Sequence, residues 1–235
     1  MKKNILDKRC AGWLLISLFF LQGCAAIATS LVTQALTSPD MWASLLAPRG
    51  QGTPYREAGE FYKKSDWPGL EVHATNKLAA ERTSADWMVL KSYALLMQEK
   101  YEEPLNLLPR AHEINPEDIN ALNFWAVALR GQANSGAPGR SANLDRAIQV
   151  LEKASSIDTT HAATFFILGE AYGERMEWVK SAQAFENAIR LAPESPLVWF
   201  GAGKVYKLSG NLDSLDLALE RLRALDPALA ERLAR

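Results

Sequence analysis

The sequence predicts an all-α chain of helix pairs stacked into a solenoid, and three observations carry that reading. Equivalent residues recur every 34 positions in the second half: Phe165 and Trp199, Gly169 and Gly203, Tyr172 and Tyr206, Trp178 and Leu212, Leu191 and Leu225. A fixed period of this length is the signature of one supersecondary unit repeated and stacked. Prolines punctuate the same period, Pro227 lying 34 residues after Pro193, and proline ends a helix at the residue before it. Small residues (Gly169, Gly203) stand where two helices of a unit must touch. The large Phe165, Tyr172 and Phe185 fill the wedge toward the next unit. No unit covers its own apolar face, so stability comes from stacking.

In chain order, the first segment reads as a targeting signal. Lys2, Lys3, Lys8 and Arg9 precede an apolar run over 11–21, broken only by Gly12 and Ser17. Eleven residues rise about 16 Å as a helix, short of a bilayer core of roughly 30 Å, so a cleaved signal fits better than an anchor helix. Leu21-Gln22-Gly23-Cys24 then resembles the lipobox of bacterial lipoproteins, with Gln22 a slightly unusual occupant of the variable position. That resemblance implies cleavage after Gly23 and diacylglyceryl modification of the Cys24 thiol. Ala25 and Ala26 follow where an Asp would favour the inner membrane, which implies an outer-membrane address facing the periplasm. The only other cysteine is Cys10, within the signal, so a mature chain has no disulfide and no thiolate metal ligand.

Residues 24–50 form a lipidated tether. Ile27, Leu31, Val32, Ala35 and Leu36 have helical spacing, and Met41, Trp42, Leu45 and Leu46 give a short apolar face before Pro48 and Gly50. A cap over the first repeat is the expected role; contact with the membrane surface is the alternative, disfavoured because the Lys and Arg of an interfacial helix are missing.

The repeat body spans 51–235. Leu151, Ala154 and Ile157 precede Phe185, Ala188 and Leu191 by 34. One step further back takes 43: Tyr101, Leu108, Ala111 and Ile114 match Leu144, Leu151, Ala154 and Ile157. The nine extra residues fall within 131–143, a stretch rich in Gly, Asn, Ser and Ala that is expected as a loop, either an inert surface loop or one that contacts a partner. The units are then 51–84 (degenerate), 85–118, 119–161, 162–195 and 196–229. Pro104 suits the first turn of its helix, whereas Pro109 lies inside and is expected to bend or break it. Thr159 replaces the usual stop proline.

Leu168-Gly169-Glu170-Ala171-Tyr172, followed by Trp178, Phe185, Ala188, Leu191 and Pro193, resembles the tetratricopeptide repeat (TPR) signature. The resemblance implies a right-handed superhelical solenoid of helix-turn-helix repeats that binds a protein or peptide in a concave groove lined by first helices. Carried onto this sequence, the groove positions are Val89, Tyr93 and Met97, then Asn120, Asn123, Val127 and Arg130, then Phe166, Glu170 and Glu174, then Phe200, Lys204 and Lys207. Aromatic and Met residues would supply buried area, while Arg130, Glu170 and Lys204 set register. No cluster matches the Lys- and Asn-based carboxylate clamp of some family members.

Composition agrees with a folded body: 48% hydrophobic and 23% charged residues. Without Lys2, Lys3, Lys8, Arg9 and Asp7, 22 basic face 26 acidic side chains, which supplies no drive for nucleic acid. Chemistry is not expected. His73, His112 and His161 are scattered, and His112 and His161 are expected at the surface near the ends of second helices. Gly201-Ala202-Gly203-Lys204 lacks the leading Gly and following Ser or Thr of a phosphate loop. No catalytic, metal or cofactor residues are assigned. The expected role is a membrane-anchored scaffold in envelope assembly (pilus, outer-membrane protein or polysaccharide export). An envelope enzyme or a glycan- or peptide-binding accessory subunit is the alternative.

Overall fold

The computed structural model describes residues 52–136 and 138–235, so the signal segment, Cys24 and the cap expected over 27–46 lie outside the described residues. Every element described is a helix. In order they are α1 (Thr53–Tyr62), α2 (Trp67–Ala80), α3 (Ala85–Leu96), α4 (Pro104–Ile114), α5 (Ile119–Asn134), α6 (Arg140–Ile157), α7 (Ala162–Glu174), α8 (Trp178–Leu191), α9 (Pro196–Ser209), α10 (Leu212–Leu225) and α11 (Pro227–Ala234).

Local chemistry sets these boundaries. Asp66, Asp118, Asn211 and Asp226 each accept a backbone N–H at the start of the helix they cap, satisfying a donor that has no partner within the helix. Every turn inside a pair carries a left-handed residue: Ser65, Glu99, Met176 and Gly210, with φ of 52°, 58°, 60° and 76°, and Gly136 and Gly139, with φ of 82° and 87°, between α5 and α6. The three glycines adopt that conformation without a Cβ clash.

Helices pack as pairs, α1 with α2 through α9 with α10, and each first helix also packs on the first helix of the next pair. The first helices α3, α5 and α7 are therefore buried almost all round, as expected of helices covered on most sides. Phe185 of α8 shows the wedge at work. It is fully buried, its ring meets Phe166 edge-on at 5.7 Å, and it lies against Gly169 of α7 and Gly201 of α9. Beyond α10, α11 packs on both α9 and α10, with Leu233 against Gly203.

Two expectations are corrected. Pro109 does not break its helix: α4 runs through it to Ile114. The lost hydrogen bond is offset because Leu107, Leu108 and Ala111 around it are buried in the core. Nor is 131–143 a loop, since α5 continues to Asn134 and α6 begins at Arg140. Most of the extra residues lengthen two helices, and buried Gly131 accommodates the Tyr101 ring where a Cβ would stand.

Candidate functional site

The stacked first helices α1, α3, α5, α7 and α9 form an inner layer, and three polar groupings sit in it. The first links three consecutive helix pairs. Arg130 of α5 is buried, and its guanidinium donates to Glu170 Oε2 at 3.0 Å and to both carboxylate oxygens of Glu174, at 2.6 and 3.3 Å. Lys204 of α9 stands 3.9 Å from the other oxygen of Glu170. Burial works to discharge Arg130, but the Glu174 and Glu170 carboxylates outweigh it and hold its pKa above the ordinary value. The planar fork grips Glu174 with two donors, a geometry that Lys does not reproduce.

The second grouping joins α5 to α7. Asn123 Nδ2 donates to Thr164 Oγ1 at 3.0 Å and lies 3.4 Å from His161 Nδ1, which in turn is 3.0 Å from Thr164 Oγ1. All three residues are buried. The expectation of a surface His161 is thus corrected: it stands buried at the N-cap position of a first helix, with its ring against Asn123 and Thr164. His112 is half-buried on the opposite layer, where Lys153 Nζ donates to its Nε2 at 2.7 Å. Burial first, then the Lys153 charge, lowers its pKa.

The third grouping is a pocket of about 170 Å³ at the N-terminal ends of α1, α3 and α5, lined by Tyr55, Asp86, Asn115, Glu117, Asp118 and Asn120. Tyr55 donates its hydroxyl to Asp86 Oδ1 at 3.3 Å, and Asp118 Oδ1 accepts the Asn120 backbone N–H at 2.9 Å. Burial, followed by the charges of Asp118 and Asp86, pushes the Tyr55 phenol up. Burial also raises the Asp118 carboxyl.

Against the groove positions read from sequence, the structure brings Arg130, Glu170, Glu174 and Lys204 together and puts Asn120 in the pocket. Val89, Tyr93, Met97, Asn123, Val127, Phe166 and Phe200 are buried within the chain itself. Tyr93, for example, is ringed by Trp67 at 5.6 Å and Phe124 at 5.2 Å, and Arg232 lies over Phe200 at 5.2 Å. Their side chains build the layer. The Glu174 side chain is buried, Lys204 is half-buried and Lys207 is exposed, its Nζ donating to the Leu233 carbonyl at 2.9 Å. Tyr55, Asp86 and Asp118 were missed as site residues. A signal existed: Asp86 and Asn120 are each the second residue of a first helix, 34 apart, and Tyr55 precedes Asp86 by 31.

No protein-family model matches the chain. Among curated proteins it resembles anaphase-promoting complex subunit 3 of Schizosaccharomyces pombe, 27% identical over 82 residues. It also resembles protein bimA of Emericella nidulans, 25% identical over 120 residues. Those matches cover 35% and 51% of this chain but only 12% and 14% of the relatives. Solved structures match over most of both chains. The thermophilic TPR protein TTC0263 of Thermus thermophilus superposes with a TM-score of 0.68 at 16% identity, covering 77% of this chain and 95% of that one. MamA from Desulfovibrio magneticus RS-1 gives 0.56 at 16% identity, over 76% and 93%. YrrB, described as a TPR protein with an unusual peptide-binding site, gives 0.55 at 14% identity, over 74% and 87%. At such identities the likeness speaks for the fold, and the fold is that of a tetratricopeptide-repeat solenoid.

Proposed function

We propose that this chain is a scaffold of the bacterial cell envelope, anchored through lipid on Cys24, that binds a polypeptide partner along its inner helix layer during envelope assembly. The observation that carries this reading is the charged lock across α5, α7 and α9. Arg130, Glu170, Glu174 and Lys204 hold three helix pairs in one register, so the layer presents a preformed surface, which lowers the ordering cost of binding. The YrrB likeness supports a peptide as the ligand class. The lipobox resemblance supports the anchor, since two or three acyl chains at about 0.8 kcal/mol per buried CH₂ hold a protein on a membrane stably.

The test uses the full chain in cells with a photo-crosslinking residue at Lys207, the exposed groove position. The expected result is one stoichiometric envelope protein, with Cys24→Ala accumulating uncleaved precursor that takes up no fatty acid. Absence of any crosslinked polypeptide would remove the scaffold reading, and normal processing of Cys24→Ala would remove the anchor.

A further inference from the structure

Four large apolar side chains stand in solvent at one edge of the last two units. Met176 lies in the turn after α7 and Val179 in the first turn of α8; Leu208 lies in the last turn of α9 and Leu212 starts α10. They are 68%, 73%, 59% and 66% exposed. The two turns are neighbours, because a Cβ on Gly173 of α7 would stand 3.7 Å from Val205 of α9, and Met176 and Leu208 each follow that contact by three residues. The same edge of the second unit is acidic. There exposed Glu99 holds the left-handed place of Met176, exposed Glu102 that of Val179, and exposed Glu103 comes next. Around the apolar four the charges balance: Arg175 pairs with Asp145 and Lys180 with Glu177, while Lys207 offsets Asp213.

Contiguous exposed apolar surface marks an interaction site, and its make-up here favours lipid over a folded partner. Protein-binding hot spots centre on Trp, Tyr or Arg seated in a pocket, with Leu and Val under-represented. None of these four is aromatic, and each has more than half of its surface in water, so they are protrusions and not the floor of a groove. A bilayer interface takes up protruding aliphatic side chains without requiring a matching shape. Resting on the lipid-anchor reading above, we propose that this edge inserts into the interfacial region of the bilayer that holds the anchor, so that the solenoid stands on its last two units. The balanced charge there offers no barrier to an anionic leaflet, whereas Glu99, Glu102 and Glu103 are repelled by one. Chain length permits the contact. Fully extended, residues 24–51 would span at most about 100 Å, and four steps of about 8–10 Å between first helices put α9 roughly 40 Å from α1. An anchored chain meets the surface at high effective concentration, so a patch too small to recruit a free protein is enough to orient a tethered one.

The experiment places a diazirine-bearing residue at Val179 of the full chain in cells, or at Glu102 as the matched position of the second unit, and identifies each photo-adduct by mass. The expected result is a phospholipid adduct at Val179, about fivefold or more above that at Glu102, as insertion of one edge demands. Met176→Ser, Leu208→Ser and Leu212→Ser together are expected to bring the Val179 adduct down to the Glu102 level. These side chains are exposed, so the triple variant keeps its fold, and its thermal melt checks this. Equal lipid adducts at the two positions, no lipid adduct at Val179, or an adduct undiminished in the triple variant each overturns the proposal. A polypeptide or a second copy of this chain captured at Val179 in place of lipid overturns it too. The mass of Cys24 is read in the same samples and separates the two readings. An acylated Cys24 without the Val179 adduct removes this edge and leaves the anchor, while an unmodified Cys24 with the adduct removes the anchor and leaves the edge.

Discussion

Alanine at Gly201 and alanine at Gly59 are the same substitution in two helix interiors, and the structure assigns them opposite signs. A Cβ at Gly59 of α1 meets nothing within 4 Å. Only the backbone effect remains there, a gain of roughly 0.5–1 kcal/mol. A Cβ at Gly201 of α9 would stand 2.6 Å from Phe185 Cε1, 2.9 Å from its Cζ and 3.1 Å from Phe166 Cε2. The ring has little room to retreat, because on its other side it already lies against Gly169, so closely that a Cβ added there would stand 2.8 Å from it. Overpacking a rigid site costs about 1–3 kcal/mol, which exceeds the backbone gain, so Gly201→Ala is expected to destabilise by about 1–2 kcal/mol. For a chain of this size that lowers Tm by roughly 3–6 °C, read by circular dichroism with urea midpoints as a second measure. Phe185→Leu in the same chain shortens the ring's reach. The double variant should then lose less than the sum of its single changes, a coupling that neighbours show. Gly201→Ala as stable as wild type, or simple additivity with Phe185→Leu, would refute the claim that two glycines were selected by one ring.

Two further outcomes concern the buried charges. Arg130→Met leaves Glu174 without its counter-ion and Glu170 with only Lys204 at 3.9 Å, each carboxylate side chain being only 7% exposed, and should cost about 3–5 kcal/mol in urea denaturation. A loss below about 1 kcal/mol, the scale of an exposed ion pair, would mean that the lock does not hold the pairs in register. Asp118 has its pKa raised in the folded state, chiefly by burial, so the native chain binds more protons than the unfolded one above the usual Asp range, and this group's contribution to stability falls as pH rises through that window. Asp118→Asn should therefore be more stable than wild type at neutral pH, with the gap closing as the carboxyl protonates on acidification; a gap that widens instead contradicts the assigned direction.

The site was partly visible in the sequence. Arg130, Glu170, Glu174 and Lys204 fall on groove positions by register, yet nothing in the spacing says that Arg130 grips Glu174 with two donors or spans 40 residues to Glu170. Rotamers and the stagger of α5 against α7 decide that. Tyr55, Asp86 and Asp118 went unseen because the pocket draws on three helix starts and a linker.

The sequence by itself determined the helical solenoid. Small, large and proline residues recur at the positions of Gly169, Phe185 and Pro193 because each unit repeats one helix pair, and a repeated geometry leaves a period. Tertiary structure alone decided that α4 continues through Pro109, that most of 131–143 becomes helix, and that the groove aromatics Tyr93, Phe166 and Phe200 are core. These outcomes depend on how much apolar surface neighbouring helices cover. That quantity is a sum over the stacked array, and no single repeat's pattern records it.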